Sequence, residues 1–278
     1  MCALVLVLFL SVGFAQAQTP DVRKIALRSA SALVQDAETG EIVFGKNADT
    51  VTPIASITKL MTAMVILDSG LDLEEQIVLN REDAVAMKGA RSRLRTGLSI
   101  SRGDLLLLAL MASENRAAAA LGRSYPGGLE AFVDAMNTKA ASIEMSESRF
   151  VEPTGLSPAN VSTANDLAKL VRAAHEYPVI REFSTKDRAV IKAGWGKRVK
   201  PLAYGNTNGL VRSKYWDIEL SKTGYISEAG RCLVMHVRLA EKDLIVVLLD
   251  SWGKHSRIGD ANRIKKWLES GAATGRSS

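Results

Sequence analysis

Segments with the hydrophobic pattern of β-strands stand at both ends of this chain, and segments with the pattern of helices fill the middle. Near the start, residues 32–36 and 41–46 predict two strands around the turn Glu38-Thr39-Gly40. Near the end, three more strands with short turns are predicted over residues 216–225, 232–240 and 243–250. This order of elements indicates one antiparallel sheet that is assembled from both ends of the chain.

The middle of the chain contains helix formers with apolar residues three and four positions apart. Helices are predicted there over residues 104–111, 116–123, 129–143 and 164–175. An earlier apolar helix follows Pro53 and ends at the C-cap Ser69-Gly70, and a last amphipathic helix covers about residues 258–268. The sequence therefore predicts an α+β fold, an antiparallel sheet flanked by helices, with an all-helical subdomain inserted at about residues 81–200.

The composition is that of an ordinary globular protein, with 278 residues of which 47% are hydrophobic and 24% are charged. A disordered chain, a collagen-like fibre and a coiled coil are thereby excluded, and the length suffices for a large core. Lys and Arg exceed Asp and Glu by 36 to 30, but no aromatic interleaving or nucleic-acid motif accompanies this charge, so no nucleic-acid partner is predicted. We expect one domain over residues 18–270 and a disordered tail at 271–278.

Residues 1–17 have the features of a secretory signal peptide. They contain no charged residue, residues 3–10 are all apolar, and Ala15-Gln16-Ala17 fits the small-x-small cleavage pattern. The apolar run is too short to span a bilayer, and no other stretch is long and apolar enough; a buried N-terminal helix is the alternative interpretation. We therefore expect a periplasmic protein without an integral membrane anchor, soluble or loosely membrane-associated. Cleavage after Ala17 would remove Cys2 and leave Cys232 as the only cysteine.

Three short motifs that could carry chemistry follow one another along the chain: Ser56-Ile57-Thr58-Lys59, Ser113-Glu114-Asn115 and Lys222-Thr223-Gly224. Each one alone is weak evidence, because a second Ser-x-x-Lys copy, Ser251-Trp252-Gly253-Lys254, occurs out of order after a predicted strand, where we interpret it as loop polarity. In this order the three form the signature of penicillin-binding serine acyl-transferases.

The first motif supplies a nucleophile and its base. Ser56 at a helix start directs its backbone N–H toward a substrate carbonyl, where the helix dipole favours developing negative charge. Lys59 lies three residues on, on the same helical face, so its amine can reach the Ser56 hydroxyl. A lysine acts as a base only when it is neutral, and we expect burial and the charge of Lys222 to lower the pKa of Lys59.

The other two motifs predict the remaining walls of a cleft. Ser113 can relay a proton to the leaving amine, and Asn115 can hydrogen-bond the substrate backbone. The third motif and the residue after it are predicted to bind substrate, namely Lys222, Thr223, Gly224 and Tyr225. There Lys222 and Thr223 suit a substrate carboxylate, Gly224 permits close approach, and the N–H of the next residue is the second oxyanion donor.

No metal or cofactor is predicted for this chain. Its three histidines, His175, His236 and His255, form no pair at metal-ligand spacing, and there is no His-Glu-x-x-His. The sequence therefore predicts a reaction carried by side chains alone.

The motifs and further stretches together resemble the low-molecular-mass penicillin-binding proteins of the D-Ala-D-Ala carboxypeptidase family, serine peptidase family S11. The resemblance covers residues 31–268 and is also carried by residues 55–62, 150–156, 160–163 and 206–208. It implies a β-lactamase/DD-peptidase-like fold, with Ser56, Lys59 and Lys222 in an α/β subdomain and Ser113 and Asn115 in a helical one. It also implies peptidoglycan stem peptides as substrates, a Ser56 acyl-enzyme, and β-lactams as inhibitors.

Within this family the sequence favours DD-endopeptidases, which cut D-Ala–diaminopimelate cross-links, over carboxypeptidases, which trim stem pentapeptides. The stretch from Ser113 to Ala118 matches the endopeptidase type, and the residues after Gly224 leave room for two strands and a helix, without an added β domain or anchor. A class A β-lactamase would need Glu-x-x-Leu-Asn between the second and third motifs, where none occurs. A catalytically silent wall-binding module would be expected to lack Ser56 or Lys59.

Overall fold

The computed structural model describes residues 25–85, 92–195 and 198–275, so the predicted signal peptide at 1–17 lies outside the described residues. In chain order the strands are β1 (Ser29–Asp36), β2 (Ile42–Lys46), β3 (Thr52–Pro53), β4 (Gln76–Val78), β5 (Ser99–Ser101), β6 (Val161–Ser162), β7 (Arg188–Trp195), β8 (Arg198–Gly205), β9 (Asp217–Ile226), β10 (Gly230–Leu239) and β11 (Lys242–Ser251). The α-helices are α1 (Thr58–Asp68), α2 (Arg81–Val85), α3 (Arg102–Met111), α4 (Asn115–Arg123), α5 (Gly128–Ser142), α6 (Ala164–His175), α7 (Pro178–Thr185) and α8 (Ser256–Gly275).

Both ends of the chain meet in one five-stranded antiparallel sheet with the order β2-β1-β11-β10-β9. The first strand pairs with the last, for example Leu33 with Val247, which confirms the predicted sheet. Strand β9, which carries the Lys222-Thr223-Gly224 motif, forms one edge of this sheet.

The alternation of side chains along β11 divides the core into two layers. Val247 belongs to the cluster that contains α1 and α6, whereas Val246 and Leu248 belong to the cluster that contains Ile264 and Trp267 of α8. Successive residues of a strand point to opposite faces, so a run of apolar residues is needed to cover both sides of the sheet. Burying one such side chain contributes roughly 1.5–3 kcal/mol.

Helix α1 runs through the interior and is apolar around most of its circumference. Every residue from Thr58 to Ile66 is buried, as expected for a helix enclosed by other elements. It contacts α3, α4 and α5 of the inserted region as well as α6 next to the sheet. Ser56 therefore lies at the junction of the two parts of the fold.

The inserted region contains a small sheet in addition to its helices. Strands β4, β5, β7 and β8 form a four-stranded sheet that the sequence analysis, which expects only helices at 81–200, does not predict. In β7 the exposed Val190 alternates with the buried Ile191 and Ala193, a period of two that marks a half-buried strand. Helix α7, which begins with Pro178 at its first position, is also absent from the predicted elements.

The last helix is longer than predicted. The sequence predicts an end near Leu268 and a disordered tail from Gly271, whereas α8 continues to Gly275 and residues 276–278 lie outside the described residues. The extension contains Ala272 and Ala273, and alanine has the highest helix propensity. Among the described residues, no helix is both long and apolar enough to cross a membrane.

Candidate active site

Ser56 lies in a short 3₁₀ turn, Ala55–Ile57, that leads directly into α1. The residue before it, Ala55, has a φ of 47°, in the left-handed region that residues with a Cβ rarely adopt. Two glycines let neighbouring backbone approach this turn: a Cβ added at Gly155 would lie 2.0 Å from the Ala55 carbonyl oxygen, and one at Gly224 would lie 3.0 Å from the Ala55 Cβ. The turn that positions Ser56 is therefore strained and held from two sides.

Lys59 is fully buried next to Ser56, and its amine has three close oxygen neighbours. The Nζ atom lies 2.8 Å from Ser56 Oγ, 2.7 Å from Asn115 Oδ1 and 2.5 Å from the Thr154 carbonyl oxygen. A neutral amine has two N–H bonds and one lone pair. Asn115 Oδ1 and the Thr154 carbonyl can only accept, so they take the two N–H bonds and leave the lone pair to receive the Ser56 proton.

The electrostatic surroundings of Lys59 suit a base at neutral pH. Burial, opposed in part by the charges of Glu152 and Glu114, lowers the pKa of the Lys59 amine to about 7. A general base is most effective when its pKa lies near the working pH.

Lys222, which lies on strand β9, is also fully buried. Its Nζ donates to Ser113 Oγ at 2.8 Å and to the Thr223 carbonyl oxygen at 3.0 Å. Burial lowers the pKa of Lys222 well below its usual value, and the charges of Lys59 and Arg257 lower it further.

Desolvation is the largest cause that lowers the pKa of both buried amines. Repulsion between two ammonium groups is reciprocal, so a charged Lys222 also disfavours the ammonium form of Lys59. Glu152 and Glu114 act in the opposite direction and favour the ammonium form of Lys59.

The Ser113–Asn115 segment connects α3 to α4 and touches both lysines. Ser113 has a φ of 55° and accepts from Lys222, while Asn115 begins α4 and accepts from Lys59. Between them, Glu114 caps α4 by accepting from the Arg116 N–H at 3.1 Å. The two motifs from the α/β part and the one from the inserted part therefore meet around Ser56.

Two further segments complete the site, and the sequence analysis notes them only as parts of the resemblance. The Glu152 carboxylate accepts from the backbone N–H groups of Thr154 and Gly155 at 2.6 and 2.7 Å, which orients the Thr154 carbonyl toward Lys59. Thr207 Oγ1 lies 2.7 Å from Thr223 Oγ1, and its N–H donates to the Met111 carbonyl. Backbone carbonyls have no residue-type signature, so spacing alone could not reveal the Thr154 contact.

Strand β9 carries the third motif at the edge of the sheet, beside the turn Ala55–Ile57 that contains Ser56. The Tyr225 side chain is exposed, and Arg257 of α8 donates to the Gly224 carbonyl at 2.8 Å. No sequence motif singles out Arg257. The second Ser-x-x-Lys copy lies elsewhere: Ser251 is the buried last residue of β11, with its Oγ 2.5 Å from Ser29 Oγ, rather than a polar loop residue.

Comparison with known proteins agrees with this geometry. A family model described as D-alanyl-D-alanine carboxypeptidase, peptidase S11, matches residues 15–253. The chain belongs to this family. A D-alanyl-D-alanine endopeptidase of Pseudomonas aeruginosa is 49% identical over 248 residues, which cover 89% of this chain and 79% of that one. One of Escherichia coli is 47% identical over 245 residues, with coverages of 88% and 78%.

Solved structures of two similar proteins share the fold. The crystal structure of the Streptomyces K15 DD-transpeptidase has a TM-score of 0.82 at 27% identity, covering 89% of this chain and 99% of that one. Penicillin-binding protein D2 of Listeria monocytogenes, solved in its ampicillin-bound form, has a TM-score of 0.76 at 29% identity, with coverages of 88% and 98%. The predicted family, the β-lactamase/DD-peptidase-like fold and the assignment as a serine DD-peptidase are thus confirmed.

Proposed function

We propose that this S11 peptidase is a peptidoglycan DD-endopeptidase that hydrolyses D-Ala–diaminopimelate cross-links through an acyl-enzyme on Ser56. The observation that carries the proposal is the buried Ser56–Lys59 pair, 2.8 Å apart, with a Lys59 pKa of about 7. The endopeptidase assignment is supported by relatives of that name at 47–49% identity over most of this chain.

Acylation follows from the atoms around Ser56. The Lys59 lone pair takes the Ser56 proton as Oγ forms a bond to the D-Ala carbonyl carbon. The N–H groups of Ser56 and Tyr225 stabilise the oxyanion, which is the role of an oxyanion hole. The C–N bond then breaks, and Ser113, held by Lys222, relays the proton from Lys59 to the departing amine.

Deacylation reverses the proton transfers with water in place of the amine. Lys59 takes a proton from water, the oxygen of which attacks the ester carbonyl carbon. The bond to Ser56 Oγ breaks, the proton returns to the serine, and a stem peptide with a free D-Ala carboxylate leaves. β-Lactams acylate the same Oγ atom.

The walls of the cleft bind the peptide around the scissile bond. Asn115 hydrogen-bonds the peptide backbone, and Lys222 and Thr223 bind a carboxylate next to the glycine edge at Gly224. A carboxylate beside Lys222 favours its ammonium form, so substrate binding raises the lowered pKa of this amine.

Digestion of purified peptidoglycan tests the proposed reaction. The protein should convert cross-linked muropeptide dimers to monomers and release little free D-Ala from a pentapeptide, with Ser56→Ala as the inactive control. The alternative, a D-Ala-D-Ala carboxypeptidase, is favoured by the description of the matching family. Rapid D-Ala release with intact dimers would establish the carboxypeptidase instead.

We also propose that the protein acts in the periplasm after cleavage before Gln18. The uncharged segment at 1–17 supports export, and the net charge of +6 gives a salt-sensitive attraction to anionic envelope surfaces. The N-terminal sequence of the processed protein, and its release from membranes by high salt, test this proposal. A full-length protein that stays in the cytoplasm would contradict it.

A further inference from the structure

A second cluster of polar side chains lies away from Ser56, where helix α6 ends against the sheet. It consists of His175 from α6, Glu219 from β9 and His236 from β10, whose possible ligand atoms all lie within 4.8 Å of one another. His175 Nε2 lies 2.5 Å from Glu219 Oε2, and His236 Nδ1 lies 3.6 Å from the same oxygen. Residues that sequence spacing keeps apart are thus neighbours in the fold.

A β-bulge directs Glu219 into this cluster. The pairing of β9 with β10 passes from Leu220–His236 to Ile218–Val237, so Glu219 is the extra residue that has no partner of its own in the ladder. Bulges change the direction of a side chain and are over-represented next to functional sites. The irregularity places a carboxylate beside two imidazoles.

His236 brings an unsatisfied nitrogen to the cluster. Its side chain is only 7% exposed, and Nδ1 has no hydrogen-bond partner among the described residues, because the Glu219 oxygen is too distant. Buried polar atoms in native proteins almost always have a partner. This unpartnered ring nitrogen lies close to a carboxylate and a second imidazole. A cation bound between the three groups would give it the partner that it lacks.

We propose that His175, Glu219 and His236 bind one Zn²⁺ ion, with His175 Nε2, His236 Nδ1 and one carboxylate oxygen as its protein ligands. Two imidazoles and a carboxylate are a donor set that Zn²⁺ accepts, whereas Ca²⁺ and Mg²⁺ require mostly oxygen ligands. The histidine rings are stacked with centroids 3.8 Å apart, so ring rotation has to bring their lone pairs together. The side chains of His175 and Glu219 are 21% and 38% exposed, whereas His236 is buried, so the proposal requires His175 and Glu219 to supply this rotation.

The surroundings leave room for a further ligand. A surface pocket beside the cluster is lined by His175, Glu219, Arg181, Glu182 and Thr185. Water from this pocket can fill the fourth position of a tetrahedral site. The bound ion would join α6, β9 and β10. Its ligand Glu219 lies three residues before Lys222 on β9.

Zinc titration of the purified protein tests this site. After removal of metal with a chelator, the protein should take up one equivalent of Zn²⁺ in competition with a chromophoric chelator, with a micromolar or lower Kd. We expect His175→Ala and Glu219→Gln to weaken binding by more than the tenfold to hundredfold typical of losing an outer-shell partner. His255→Ala, which removes the exposed histidine outside the cluster, is the matched control and should bind as the wild type does.

Melting temperatures provide a second measurement, with fold checked by circular dichroism and by penicillin labelling of Ser56. Zn²⁺ should raise the melting temperature of the wild type and of His255→Ala, and it should not raise those of His175→Ala and Glu219→Gln. Absence of stoichiometric binding by the wild type, or equal affinity in the His175→Ala/Glu219→Gln double variant, would overturn the proposal. The cluster would then be a hydrogen-bonded pair with a stacked ring. Neither measurement depends on which peptide bond the enzyme cuts.

Discussion

The two Ser-x-x-Lys segments of this chain fold into different surroundings. At Ser56 the motif enters a buried helix, and Lys59 Nζ comes within 2.8 Å of the hydroxyl. The second motif begins at Ser251, the last residue of β11, and continues beyond the strand. The Ser251 hydroxyl forms a hydrogen bond with the Ser29 hydroxyl, and Lys254 is exposed. The same four-residue pattern is thus a candidate catalytic pair in one place and part of a strand end in the other.

Backbone conformation accounts for the difference. A spacing of three residues brings two side chains to the same face only if the residues between them are helical. After Ser251 the chain turns through Gly253, which has a φ of 98°, so the lysine side chain is not held over the serine. Burial then separates the two lysines further, because only an amine removed from water has a strongly lowered pKa.

The largest expected difference between the two segments is in covalent labelling. Ser56→Ala should abolish labelling by a fluorescent penicillin, because it removes the Oγ atom of the proposed nucleophile. Ser251→Ala should label normally and lose about 1 kcal/mol of folding stability with its buried hydrogen bond. Gel fluorescence and thermal melting measure the two effects. Labelling that persists in Ser56→Ala and disappears in Ser251→Ala would reverse the assignment.

Arginine at the lysine positions should separate the two segments by their chemistry. Lys59→Arg keeps the charge but cannot deprotonate near neutral pH, so acylation should fall by about 10²–10⁴-fold. Lys254→Arg is the exposed control and should have no effect on stopped-flow acylation rates. Lys222→Arg should mainly weaken substrate binding, seen as a raised KM. Equal and mild effects at Lys59 and Lys222 would show that neither is the base.

Glycine-to-alanine changes compare the packing around the two segments. At Gly155 the new Cβ would lie 2.0 Å from the Ala55 carbonyl oxygen, so the Ser56 turn must shift. A displacement of this kind can cost about 10² in rate, which acylation kinetics would detect. At Gly253 no atom lies within 4 Å, so alanine should cost only about 1 kcal/mol of backbone strain and leave acylation unchanged. Equal acylation rates in the two variants would contradict the clamped turn.

The smallest of these effects is the pH dependence of acylation. As the proposed base, Lys59 would act in its neutral form, so the rate should rise with pH through its pKa of about 7 and level off above it. One pH unit below the pKa the rate should be about tenfold lower than the plateau, since each unit changes the neutral fraction about tenfold. A rate that is flat from pH 6 to 8, roughly the range in which such a base titrates, would remove Lys59 from this role.

Local spacing suffices to predict the first half of the site. The Ser56–Lys59 contact depends on one helical turn, and that turn is encoded by the apolar pattern that follows it. The approach of Asn115 and Lys222 depends on tertiary packing, and it was the three motifs taken together in their order, rather than any local spacing, that indicated it. The contact of the Thr154 carbonyl and the position of Arg257 could not be predicted from spacing, because one is a backbone atom and the other belongs to no motif.

Two larger features, the hairpin of β7 and β8 and the cluster at His175, could not be predicted from spacing along the chain either. The hairpin of β7 and β8 contains an alternating pattern, but it stands in a region where helix formers dominate. The neighbourhood of His175 and His236 is set by the sheet register and by the bulge at Glu219, which no spacing along the chain records. The spacing of histidines along the chain therefore gives no indication of the cluster that His175, Glu219 and His236 form in the fold.

The pairing of β1 with β11 has a consequence for the order of folding. Ser29 and Ser251, which are bonded through their hydroxyls, are 222 residues apart in the chain. Contacts between such distant residues have a high entropic cost of loop closure and form slowly. The central sheet therefore cannot close until the last strand is available. Strands β9 and β10 lie beyond β11 in that sheet, and Lys222 is on β9. Ser56 is therefore synthesised early, whereas the sheet that carries Lys222 is complete only after the last strand has paired with the first.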